Sequence, residues 1–107
     1  MTTAVTPLHM LAGTNHFGKA QPHWNLLGPP SEGIDREFSA RVEFEREFNS
    51  PPVVHIGIAG LDVEGSDAVR VRVRARHIDR AGFTVLLSTW FGSQVHGVDV
   101  NWIALGT

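Results

Sequence analysis

Cysteine is missing from this 107-residue chain, which excludes disulfides and thiolate chemistry and fits a reducing compartment. Tyrosine is missing too. There is no GxSxG nucleophile elbow and no HxH or HExxH metal pattern. The opening "MTTAVTPLHMLAG" has neither a basic n-region nor a long apolar h-region. No signal peptide and no membrane insertion are expected. The protein is expected to stay in the cytoplasm or to be released by a route that needs no signal peptide. Charge of one sign is also scarce. The net charge is −2 and only 19% of residues are charged, so the broad basic footprint of a dedicated nucleic-acid binder is absent.

Apolar residues make up 42% of the chain, ordinary for a soluble globular protein. Residues 1–6 are small and polar and are expected to be loose. Residues 7–107 are expected to form one domain. "PLHMLAG" suggests a short strand ending at Gly13. From Thr14 to Gly33, repeated Gly and Pro predict a long loop pinned by Trp24, Leu26 and Leu27. So long a loop in so small a domain calls for a function.

Beyond it the period is two. Phe38, Ala40, Val42, Phe44 and Phe48 alternate with charged and polar residues, which predicts a half-buried strand. "VVHIGIAGL" (53–61) is nearly continuous in apolar residues and predicts a strand buried on both faces. "AVRVRVRARH" (68–77) sets Arg70, Arg72, Arg74 and Arg76 on one face of a further strand. "DRAG" (79–82) predicts a hairpin connection in which Gly82 supplies unusual dihedrals. "FTVLLSTW" (83–90) and "VHGVDVNWIAL" (95–105) complete the set, with His96, Val98, Val100, Trp102 and Ala104 sharing a face. About six strands, regular turn signals and no amphipathic helix predict an antiparallel β-sandwich.

Six histidines invite a metal reading, but Gly and Pro break any helix that would align His9, His16 and His23. The acidic turn "DVEGSD" (62–67) lacks the closing glutamate of a twelve-residue calcium loop. No metal and no cofactor are expected. Trp24, Trp90 and Trp102 are core residues by default, although Trp90, at a strand end, can be half core and half binding platform. The arginine row has three readings: a solvated face, a face between identical subunits paired with Glu43, Glu45 or Glu47, or a ligand-binding guanidinium at one strand end. Four arginines are too many for one small ligand, so the second and third readings can coexist.

From Arg41 to Gly106 the ordered pieces "F…F…PPVV…I…LDV", "RV", "GF", "TW" and "WIA" resemble the H-type lectins, the family of snail agglutinins and discoidin C-terminal domains. Upstream, Trp24 and "GID" (33–35) are similar to that family's loop tryptophan and Gly-x-Asp. The resemblance implies an all-β, six-stranded antiparallel sandwich that assembles as a homotrimer. It implies a lectin without enzymatic activity, recognising galactose-type sugars, often with a 2-acetamido group, near subunit boundaries. Carried over by position, the carbohydrate-binding residues are Gly33, Asp35 and Arg70, with Trp90 and Phe91 from the neighbouring subunit, and His96 at the position of the aromatic that follows. Phe91 stands where a polar residue is common, and His96 where tyrosine is frequent. The alternative is a trimeric adhesion or capping piece of a larger particle with an altered sugar site.

Overall fold

The computed structural model describes residues 7–29, 31–65 and 68–107, with Ser31 and Glu32 described by backbone alone. The N-terminal segment 1–6 and the last two residues of the 62–67 turn lie outside the described residues. Six strands follow in chain order: β1 (His9–Gly18), β2 (Ser31–Glu43), β3 (Val53–Glu64), β4 (Val71–Arg76), β5 (Gly82–Phe91) and β6 (Gln94–Gly106). They form two three-stranded antiparallel sheets, β1–β6–β3 and β2–β5–β4.

The two-residue period explains the core. Phe38 and Val42 of β2, Phe83, Val85 and Leu87 of β5, and Val98, Val100, Trp102 and Ala104 of β6 are all buried between the sheets. Phe44 and Phe48 join them from the loop after β2. The rings of Phe44, Phe83 and Trp102 lie 5.4–5.9 Å apart in tilted and edge-on contacts, the geometry aromatic quadrupoles favour. The Trp102 indole N–H donates to Asn15 Oδ1 at 2.9 Å.

Four features depart from the sequence reading. β1 runs past Gly13 to Gly18 and pairs throughout with β6. Gly13 does not end it; a Cβ there would sit 2.6 Å from the Trp102 indole, so glycine lets the ring lie on the strand. β2 begins at Ser31, inside the predicted loop. β3 is not buried on both faces: it is the edge of its sheet, and Val53 is 74% and Leu61 45% exposed. Gly82 has no positive φ. Glycine is needed there because a Cβ would collide with the Val42 carbonyl oxygen of the adjacent strand.

The loop 19–29 is pinned as expected. Leu26 is fully buried and Trp24 packs on Phe38 at 5.0 Å. The Trp24 indole N–H donates to the Val95 carbonyl at 2.9 Å, and the Gln94 side chain bonds both N–H and C=O of Gly28.

Candidate functional site

One end of the β2–β5–β4 sheet collects most of the predicted site residues. Ser31 pairs with Phe91 and Arg36 with Thr89, so four residues of β2 bulge opposite Trp90 alone. Gly33 lies in this bulge at φ 71°. A Cβ there would meet nothing within 4 Å, so it is the left-handed backbone that favours glycine. The bulge presents Asp35 on the outer face.

Asp35 Oδ2 lies 3.5 Å from Arg72 Nη1, with both side chains partly exposed. The Arg72 guanidinium in turn stacks over the Trp90 ring, 4.8 Å from its centroid. Arg72 is therefore a member of the cluster, and Trp90 and Phe91, expected from a neighbouring subunit, stand against the arginines of their own chain. Arg70 lies over the ring of Phe91 at 5.0 Å. Phe91 is 43% exposed and holds φ 55°, an uncommon backbone for a bulky side chain, held where function gathers.

Two further residues fix this end of the molecule and were not singled out from the sequence. Ser93 is buried. Its hydroxyl accepts from the Arg70 N–H at 3.0 Å and donates to the Ala68 carbonyl at 2.8 Å, clamping the start of β4. Arg36 is also buried and donates through Nη2 to the carbonyls of Phe91 (3.1 Å) and Ser93 (2.6 Å). It pins the turn between β5 and β6 from inside. Its Nε and Nη1 have no hydrogen-bond partner among the described residues. An arginine in an alternating strand reads as solvated, so only the parity of Arg36 with Phe38 pointed inward.

His96 stands apart. Asp62 pairs with Gly97 and Val63 with Val95, so His96 is the extra residue of a bulge in β6. The bulge turns Val95 into the core and removes His96 from the face it was expected to share with Val98. Its Nε2 pairs with Glu64 at 3.3 Å. Arg72, Arg74 and Arg76 do share the outward face of β4, with Arg70 just before the strand, but Glu43 and Glu47 pair within the chain, with Arg41 and Arg80. No group of three His, Asp or Glu able to hold a metal exists among the described residues.

A sandwich with no helix among the described residues, presenting a carboxylate, guanidinium groups and aromatic faces at one sheet end, belongs to the class of β-sandwich binding modules. Residues 39–105 match the model of the H-type lectin domain, and the chain belongs to that family. It is similar to two solved structures of discoidin II from Dictyostelium discoideum, each with a TM-score of 0.80. Identity is 20% in one and 21% in the other, over 99% and 98% of this chain. At that identity the likeness establishes the fold, and the chain spans only about 40% of discoidin II. It is also 28% identical over 91 residues to the protein "ATP synthase subunits region ORF 7" of Fuscovulum blasticum, covering 85% of this chain and 74% of that one.

Proposed function

We propose that residues 7–107 form one lectin module that binds galactose-type sugars without turning them over, at sites near the subunit boundaries of a homotrimer. The observation that carries this reading is the gathering of Asp35, Arg72 and Trp90, with Arg70 and Phe91 beside them, at one sheet end. A carboxylate accepts from two neighbouring hydroxyls at once, which is the role of Asp35. Arg70 donates to the same hydroxyls through its planar fork. Trp90 and Phe91 offer apolar faces to the C–H side of the ring, and Gly33 shapes the bulge that delivers Asp35. His96 contributes from the neighbouring subunit. Arg72, between Asp35 and the Trp90 ring, orients both.

Calorimetric titration with galactose tests this. Asp35→Asn keeps the shape and loses the charge; Arg70→Lys keeps the charge and loses the fork. Each is expected to weaken binding about tenfold or more, roughly 1.4 kcal/mol, with little change in melting temperature. Parent-like affinity in both variants refutes the assignment.

A second reading, a structural piece of a larger particle, has its own observation. The outer face of β1–β6–β3 exposes Met10, Val53, Ile103 and Leu105, a contiguous apolar surface of the kind that marks contact with another protein. A folded protein that binds no sugar favours this reading.

A further inference from the structure

The opposite outer face, at the end where β6 bulges, carries a constellation of which the galactose reading uses His96 alone. Two cross-strand rows lie side by side there: His16–Asp99–Gly60 and Gly18–Gly97–Asp62. Half of these six positions are glycine, so the sheet surface drops to bare backbone. His16 Nδ1 and Asp99 Oδ1 are 2.6 Å apart, and the pair lies flat on that floor. A Cβ at Gly60 would sit 2.8 Å from Asp99 Oδ2, one at Gly97 would sit 3.0 Å from His16 Cε1, and one at Gly18 would sit 3.1 Å from His16 Nε2. The pair thus rests in contact with the three glycines, and at Gly18 a Cβ would sit closer still to the His96 carbonyl oxygen, at 2.9 Å. The floor opens into a cleft of about 480 Å³ lined by His16, Lys19, Gln21, Asp62 and His96, with Leu61 on an adjoining wall.

We propose that this trough is a second ligand site, for a neutral polyhydroxylated ring. The polar groups are of both kinds. Asp62 and Asp99 accept, and with Nδ1–H donated to Asp99 the His16 Nε2 accepts as well. Lys19 donates. Gln21 accepts the Gly18 N–H at 2.7 Å through Oε1, which leaves its amide NH2 turned to donate. Hydroxyl groups both donate and accept, so they match such a mixed lining. Two carboxylates disfavour an anion, and the mixture of donors and acceptors suits hydroxyls better than a simple cation, which can only donate. The glycine floor and Leu61 supply the close apolar approach that a ring face needs. The trough stands apart from the Asp35 cluster of its own chain, which lies on the outer face of the other sheet, and shares only His96 with the galactose reading.

The test uses the full chain, 15N-labelled and carrying Asp35→Asn, titrated with galactose, with myo-inositol and with methylammonium. Saturable shifts of the Gly18, Gly60 and Gly97 amides are expected with the polyols. Lys19→Ala and Asp62→Asn, both surface changes, should each weaken that response about tenfold. A response to both polyols defines a general polyol site, and one to galactose alone defines a sugar site. Three results overturn the proposal: no saturable shift at these glycines, shifts present in the parent but lost with Asp35→Asn, or saturation by methylammonium in place of the polyols. The second would make the trough an extension of the first site. Failure of galactose to bind at Asp35 in the parent would leave the expected shifts here unaltered.

Discussion

Phe91 joins strain to exposure. A bulky residue in the left-handed region costs on the order of 1–3 kcal/mol, and its stacking with Arg70 returns about 0.5–1 kcal/mol at an exposed position. Phe91→Gly releases the first and loses the second. Its stability is therefore expected to stay within about 1 kcal/mol of the parent, while galactose affinity falls about tenfold with the loss of the apolar face. Thermal melts and titrations of the same preparation decide it. A large drop in melting temperature would make Phe91 a packing residue. Arg72 teaches a related lesson. The alternation in "AVRVRVRARH" placed four arginines on one face, but alternation carries no information on which neighbour each one meets. Only the β2 bulge, a tertiary feature, brings Asp35 to Arg72 and leaves Arg70 to Phe91.

The strands differ in how plainly they could be read. β5 and β6 are rich in apolar and β-branched residues and are bounded by Gly and Ser, and both were found within a residue or so of their ends, although the His96 bulge in β6 was not. β1 and the start of β2 were hidden, because Gly13, Gly18 and Gly33 are turn signals locally. Here they make room for an indole, a histidine pair and a bulge. The continuous apolar run of β3 pointed to burial on both faces. An edge strand beside a second exposed apolar strand face has the same composition. The connection from β4 to β5 was visible as "DRAG", and its chemistry is concrete. Asp79 Oδ1 accepts from the N–H groups of Ala81 (2.8 Å) and Gly82 (2.9 Å), and Oδ2 accepts from Arg41 at 2.6 Å. The Ala81 amide foremost, against partial desolvation, and then Arg41 and the Gly82 amide hold this carboxyl below its ordinary value of 3.8. A lowered carboxyl pKa stabilises the fold fully above the ordinary value, and that contribution fades as pH falls through the lower folded one. Urea midpoints of the parent and Asp79→Asn should differ near neutral pH and converge as the pH falls well below 3.8. A difference that persists undiminished in acid would assign the effect to shape alone.

For the whole molecule, the two outer faces are unlike. One carries Asp35 and the arginine row; the other is apolar at one end and bears the glycine trough at the other. On the trimer reading, light scattering at micromolar concentration should give three times 11.7 kDa. Arg74→Ala should weaken that assembly if its guanidinium meets a carboxylate across the boundary. A monomer at every salt concentration would refute both the trimer and the shared site. Assembly also matters for avidity. One sugar in one open site binds weakly, and three sites acting together gain about 100-fold or more on a dense glycan surface. The central claim is that the Asp35 end of the molecule recognises glycans. It is tested most directly by applying the parent and Asp35→Asn side by side to a glycan array. The account predicts that the parent binds glycans ending in galactose-type sugars and that Asp35→Asn loses them. A blank from protein shown to be folded, or the same pattern from both proteins, would contradict it.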